Sequence, residues 1–545
     1  MEQMNQNEND LFLLLRFLCL GSKDSIFRTN IQHSKYSRGD VPFIEKLIKV
    51  GQGTKVLDYI KDVSNTNKAC RQGPTMFAYA FCMVHGDKVM KKYGYKLLNN
   101  ICRIPTHLFE FQNFFKELNK EKNKGSGWGR SHRIGISKWY NNFAKETPKL
   151  ANLVTKYKKR SKWNHRDIVR LAHVKPKNDK IRTILKFIVN KEMDNLVTLH
   201  DSDDEEHEKV KTFLGAVIEA KKCKDNRRIR ELIAENDLAR EHLPNSCLSD
   251  KEVWQTLLVT MPLTAMIRNI GKMTQLGMFN DERAFYHIQL VEKRLQRETL
   301  LASKVHPLKI LFALRQYQEG NGDQGRLRWK PNYGIIRIME EAFDNAVGLQ
   351  PRTGKRYLLA VSVSGDMKKK LVGSPLTASE AAGAMVHTIA KKEQDVKTLF
   401  VENKCDVEQS FVSTIDRYDN LSSISAKLDK FSSPKERQTP FKEWASSYEK
   451  FFDVIIIFTD TLVGEGEGRV VEPFVHHCHK VGAPNHARVI VAMTGKPNDV
   501  VEPCDDHTLH VIGFDHSTPH IINAFIDNFK CNNASVASMD DVVEY

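Results

Sequence analysis

The spacing of apolar residues changes near residue 350, and that change sets what the chain can fold into. Up to there, long segments carry apolar residues three and four apart. Leu47, Val50, Val56, Leu57 and Ile60 form one such set; Trp254, Leu257, Leu258, Met261 and Leu263 form another. This spacing lays one apolar stripe along a helix, so a mostly α-helical domain is expected over residues 1–353. No clean repeat is visible, and stacked helical pairs of the solenoid kind stay open. After the linker Gln350–Lys355 the pattern turns to β-rich runs alternating with helical ones. Arg356–Val363, Lys397–Glu402, Asp453–Thr459, Arg488–Met493 and Leu509–Phe514 read as strands, and Ser379–Ala390 and His520–Phe529 as helices. Alternation of this sort predicts an α/β, doubly wound parallel sheet over residues 354–530. The polar, acidic tail 531–545 reads as disordered.

Composition narrows the class. A chain of 545 residues with 41% hydrophobic and 28% charged residues is an ordinary globular sequence with room for two to four domains. Ten cysteines are scattered without a C-x-x-C pair, so free thiols are expected rather than a zinc ribbon or a disulfide framework. Leu11–Leu20 is apolar, but acids precede it and Arg16 interrupts it, which favours a buried helix over a secretion signal. No stretch reaches the roughly 18 apolar residues of a membrane span. A cytoplasmic protein is expected, with nuclear access open. The acidic stretch Asp201–Glu208 reads as a solvated loop.

The formal net charge of +16 is unevenly placed. Between Arg103 and Lys175 eighteen Lys and Arg face five Asp and Glu, a local excess of +13. A cation density of this kind suits the phosphates of a nucleic acid. Arg103, His107, Arg130, Arg133, Lys156, Arg160, Trp163, Arg166, Arg170 and His173 of this segment are candidate nucleic-acid contacts. Ammonium and guanidinium groups neutralise phosphates, while aromatic planes stack on unpaired bases. An anionic membrane surface fits less well, because Gly125, Gly127, Gly129 and Pro148 break the segment.

Five stretches give the chain a recognisable look: RFLCLGS (16–22), ICRIPTHLFEF (101–111), GWGRSHR (127–133), VTKYKKRSKWNHRDIVRLAHVKP (154–176) and MPLTAMIRNIGKM (261–273). They resemble the TROVE (telomerase, Ro and vault) module of the Ro (SS-A) ribonucleoprotein family, and the likeness continues through GKRYLLAVSVSG (354–365) into a von Willebrand A-like domain. The resemblance implies a multidomain chain: a ring of HEAT-like helical repeats, then the A-like domain. It implies small noncoding Y RNAs on the outer face of the ring. Single-stranded 3′ ends of misfolded noncoding RNAs, such as defective 5S rRNA, would enter its central hole in RNA quality control. The positions matching the family's Y RNA-binding residues are Lys156, Arg160 and His173, with Arg130 and Arg133 at the hole or its rim. On the residues alone, His173 in the apolar context LAHV would sooner be a core histidine. The resemblance also implies a monomeric protein within its ribonucleoprotein.

A-like domains of the adhesion type hold a divalent cation through D-x-S-x-S after the first strand, with a distant Thr and Asp. Here the stretch is Ser362-Val363-Ser364-Gly365-Asp366, so the carboxylate comes late; Thr439 and Asp460 match the distant pair. Either Asp366 compensates and magnesium or manganese binds through Ser364, Asp366, Thr439 and Asp460, or the site is a relic. His476, His477, Cys478 and His479 converge too little for zinc. No P-loop, dinucleotide fingerprint or nucleophile elbow is present, so binding without catalysis is expected. The competing expectation is a protein-interaction adaptor that acts through the A-like domain, its basic face meeting acidic proteins.

Overall fold

A computed structural model describes the chain apart from residues 1, 30–35, 67, 70, 123–127, 191–203, 323–325, 402–409, 414, 416, 432–451, 461–485, 497–505 and 534–545. Its contacts divide it into two compact units: Met1–Lys23 with Lys35–Met261, and Asp24–Ser34 with Pro262–Tyr545.

The first unit is built of helices, among them Glu2–Leu20, Gln72–His85, Lys88–Ile101, Pro105–Glu121, Arg130–Asn141, Thr147–Lys156, His165–Ala172 and Glu205–Lys222. Proline starts the helix at Pro105, where a missing N–H costs nothing. Asp87 caps another by accepting a 2.7 Å hydrogen bond from the Met90 amide. The apolar stripes meet in one core in which Phe17, Phe43, Phe77, Phe109, Phe111 and Trp139 are fully buried. Leu14, Phe17 and Leu18, from the apolar run near the start, belong to it, as a buried helix requires. Half of the expected acidic loop is a helix start instead: Asp204 caps Glu205–Lys222 by accepting from the amides of Glu206 and His207. Its carboxylates suit the positive N-terminal end of that helix, a preference that a run of acids in sequence conceals.

The second unit holds a seven-stranded sheet. We number the strands in chain order: β1 (Ile26–Arg28), β2 (Lys159–Arg160) and β3 (Trp163–Asn164), the last two in the first unit, then β4 (Tyr357–Ser362), β5 (Val396–Val401), β6 (Ser410–Ser413), β7 (Val454–Thr459), β8 (Ala487–Ala492) and β9 (Thr508–Ile512). The sheet order is β1-β9-β8-β7-β4-β5-β6, parallel throughout except for β6 at one edge. β4, β7, β8 and β9 are buried along their whole lengths, which is why they read as continuous apolar runs. The five expected strands are all present. The edge strands β1 and β6 were not expected, and β1 comes from the opposite end of the chain.

Helices Pro307–Glu319 and Tyr333–Gly348 pack with Ala378–Lys392 of the sheet-bearing part. Arg315 pairs with Glu380 at 3.4 Å, and the rings of Phe343 and His387 lie 5.9 Å apart. Compactness therefore cuts the chain after Met261, ahead of the residue 353 boundary that the change of period suggests.

Candidate nucleic-acid interface

The cation-rich segment folds as a short hairpin followed by a helix. β2 and β3 pair in antiparallel register, Lys159 opposite Asn164 and Arg160 opposite Trp163. The two-residue connection, Ser161 and Lys162, has φ of 47° and 67°. That is the left-handed geometry matching the twist of a tight hairpin. Asn164 ends β3 and caps the next helix, its side chain accepting from the Asp167 amide at 3.0 Å. The helix His165–Ala172 places Arg166 and Arg170 at i and i+4, hence on one face, and His173 follows at its C-terminal end. All three are exposed, as are Lys158, Lys159, Arg160 and Lys162.

His173 is not the core residue that its apolar neighbours suggest. The helix ends at Ala172, and His173 closes it in the left-handed conformation, φ 50°, ψ 51°. The reversal of the backbone takes the imidazole out of the apolar stripe. Lys156 ends the preceding helix, half-buried, with Nζ 6.0 Å from the Tyr157 ring centroid. Arg160 donates from Nε to Glu110 at 3.1 Å, which steadies the hairpin on helix Pro105–Glu121. Trp128 meets Trp163 with ring centroids 5.9 Å apart, bringing the start of helix Arg130–Asn141, with exposed Arg130 and Arg133, beside the hairpin.

Two nominated residues do not face solvent. Trp163 is 8% exposed, wedged against Trp128 with the Lys116 ammonium 5.5 Å from its ring centroid. Its indole fastens the hairpin and has no open face for a base. His107 is 7% exposed and lies on the inward stripe with Phe111 and Phe115; burial, and then the Arg103 charge, push its pKa down to about 4. It is neutral near pH 7 and offers nothing to a phosphate. Arg103 is half-buried beside it, with Nε unpartnered. His132 and His165 are likewise interior and are pushed down to about 3 by burial. His132 bonds Tyr95 at 3.0 Å and Gln112 at 2.9 Å; His165 bonds Tyr140 at 2.8 Å. Proximity in sequence grouped these aromatics and histidines with the cations, but helical and strand periodicity sends the two sets to opposite faces. Lys158, Lys159 and Lys162 went unnominated, and the tight turn is what presents them.

In the second unit, β4 and β7 run side by side, with Val361 level with Phe458. Ser364 and Asp460 therefore lie at the same C-terminal edge of the sheet. Asp460 is buried, and its Oδ1 accepts from the Thr459 hydroxyl at 3.1 Å. Ser364 Oγ is buried without a hydrogen-bond partner. Asp366 does not complete that set: its carboxylate is half exposed and pairs with Lys369 at 2.8 Å. Among the described residues, no three His, Cys, Asp or Glu side chains converge as a metal cluster. Thr439 and the cluster His476–His479 lie outside the described residues. No described helix is long and apolar enough to cross a membrane.

Known proteins share both halves of this architecture. The family model of the TROVE domain matches residues 2–316, and that of the Ro60 vWA domain matches residues 356–526. An RNA-binding protein RO60 from Caenorhabditis elegans is 30% identical, the alignment covering 94% of this chain and 87% of that protein. The RNA-binding protein RO60 of Deinococcus radiodurans is 26% identical over 94% of this chain and 92% of its own length. The crystal structure of the Deinococcus radiodurans RO (RSR) protein superposes with a TM-score of 0.80 at 25% identity, covering 95% of this chain and 99% of the other.

Proposed function

Because the chain belongs to the Ro family, a TROVE domain followed by a Ro60 vWA domain, we propose that it is the RNA-binding subunit of a ribonucleoprotein. Its reader is the hairpin Lys159–Asn164 with the helix His165–Ala172. The observation that carries this reading is the exposure of Arg166 and Arg170 on one helix face, of His173 at the helix end, and of Lys159, Arg160 and Lys162 in the hairpin just before it. Guanidinium and ammonium groups meet phosphate oxygens there, and the exposed imidazole of His173 can bond or stack on an unpaired base. The RNA held on this face is of the small noncoding Y type. Single-stranded 3′ ends of misfolded noncoding RNAs are the second class bound. No catalytic step is part of the reading. Ser364 and Asp460 would hold a divalent cation, magnesium or manganese, at the sheet edge, where it would offer a Lewis-acid contact to a protein partner of the A-like domain.

Binding of a structured Y-type hairpin RNA across a salt series tests the RNA assignment. Affinity should fall steeply with salt, with a log–log slope near −0.9 for each phosphate neutralised. The double substitution Lys156→Ala with Arg160→Ala should weaken binding by about tenfold per lost charged contact and flatten the slope by roughly 2. Equal affinity and equal slope in the double variant would remove these residues from the interface.

A further inference from the structure

Most of the motif MPLTAMIRNIGKM lies in the second unit's helix Leu263–Gln275. Thr264, Ile267, Arg268 and Gly271 recur on one face of that helix and form one wall of a crevice of about 360 Å³. Phe312 and Gln316 of helix Pro307–Glu319 line it too, as does Trp329. Its volume lies at the small end of ligand sites, about 300–1,000 Å³.

The indole of Trp329 is held in a fixed orientation. Its Nε1 donates to the Tyr317 carbonyl at 2.9 Å, its backbone N–H donates to Gly320 at 2.8 Å, and its ring stacks on Tyr317 with centroids 6.0 Å apart. Gly271 lets it approach the helix: a Cβ there would fall 2.7 Å from the ring. Tyr317 is fixed in turn by a 3.0 Å hydroxyl contact with Thr274 and by accepting from the Asn332 amide at 2.9 Å. The crevice thus offers the accessible part of a rigid indole, a second half-exposed ring in Phe312 and the side-chain oxygen of Gln316, whose amide nitrogen already donates to the Asn321 carbonyl at 2.5 Å. Two exposed cations, Arg268 and Lys309, are among its lining residues. A flat ring that carries hydrogen-bonding edges and is attached to an anion matches this set, because stacking needs a π face and the cations need a phosphate.

We propose that this crevice binds one nucleotide, its base against Trp329 and its phosphate between Arg268 and Lys309. For the source of that nucleotide, a unit of a single RNA strand, the assignment rests on the RNA-binding reading above. The crevice belongs to the second unit, whereas the hairpin face belongs to the first, so the two sites can fail separately.

The test is photocrosslinking of the full-length protein to a five-nucleotide strand of 5-bromouridylate, too short to form the structured hairpin that the first unit's face holds, followed by peptide mapping. Adducts are expected within residues 262–331. Lys309→Glu with Arg268→Glu, both at exposed positions, should cut their yield at least tenfold. Lys156→Ala with Arg160→Ala should leave the yield unchanged. Competition by millimolar adenosine monophosphate would show that the crevice also accepts a free nucleotide; failure of the monophosphate to compete, with adducts still in 262–331, would assign it to strands alone. Adducts confined to residues 103–175, or a yield unaffected by the two charge reversals, would overturn the proposal. Normal pentanucleotide adducts in a protein that ignores hairpin RNA would overturn the hairpin face and leave the crevice standing.

Discussion

Ser364 carries a buried hydroxyl without a partner at the C-terminal edge of a parallel sheet. An unsatisfied polar group of this kind costs about 1–3 kcal/mol unless something answers it. A hard cation beside Asp460 would answer it, with water filling the remaining positions. Titration calorimetry of magnesium or manganese into the full-length protein is expected to give binding heat that Ser364→Ala abolishes and Asp366→Ala leaves in place. Matching heats in the protein and in Ser364→Ala would end the cation assignment. That Ser364 and Asp460 share this edge was legible in the sequence, because each follows a strand visible as an apolar run. Where the Asp366 carboxylate goes was not legible: a short helical turn draws it to Lys369 three residues on. His107 and Trp163 were misread for a related reason. Composition reports that cations and rings share a segment, whereas burial depends on which face of an element each position occupies.

At the scale of elements, the hairpin Lys159–Asn164 is the part of the interface least legible beforehand. Tight two-residue hairpins usually advertise themselves with Asn-Gly, since both turn positions need positive φ. Here Ser161 and Lys162 occupy those positions at φ 47° and 67°, and nothing in KRSKWN signals a turn. Each non-glycine residue held in that region costs roughly 1 kcal/mol or more. Surrounding contacts compensate: Arg160 to Glu110, and Trp163 packed on Trp128. Keeping a lysine where glycine would fit more easily makes sense if its charge is used. Lys162→Gly is therefore expected to raise stability by about 1 kcal/mol in urea denaturation, while weakening hairpin-RNA binding and reducing its salt slope by about 1. Gains in both stability and affinity would show that Lys162 meets no phosphate. The helix that follows buries Ile168, Val169 and Ala172 as a stripe, a pattern carried by its sequence; its left-handed end at His173 is not, because residues other than glycine seldom advertise that conformation.

For the whole molecule, the division of the chain runs against the order of its sequence. Between two segments of the helical unit the chain contributes residues 24–34 to the other unit, where β1 lies parallel to β9 with Ile26 level with His510 and Arg28 with Ile512. A three-residue strand has too short a period to stand out, and its partner is nearly 500 residues away, so no local pattern could announce it. Its hold is physical: Phe27 is 2% exposed, His510 donates its N–H to the Ser25 carbonyl at 2.8 Å, and Thr29 donates from its amide to the Ile512 carbonyl at 2.9 Å. Gly513 makes the close approach workable, since a Cβ there would sit 2.1 Å from Thr29 Oγ1, and its φ of +79° suits glycine. Without β1, β9 becomes an open edge of mostly apolar residues, the kind of edge that invites pairing between molecules. Phe27→Ala removes the buried anchor and should cost up to about 3 kcal/mol, with local opening of the strand as the ceiling. Hydrogen exchange is the discriminating measurement. Amides of Thr508–Ile512 should lose protection while those of Val454–Thr459, two strands further in, keep theirs; uniform loss across the sheet, or no loss at β9, would mean that β1 is not what closes this edge.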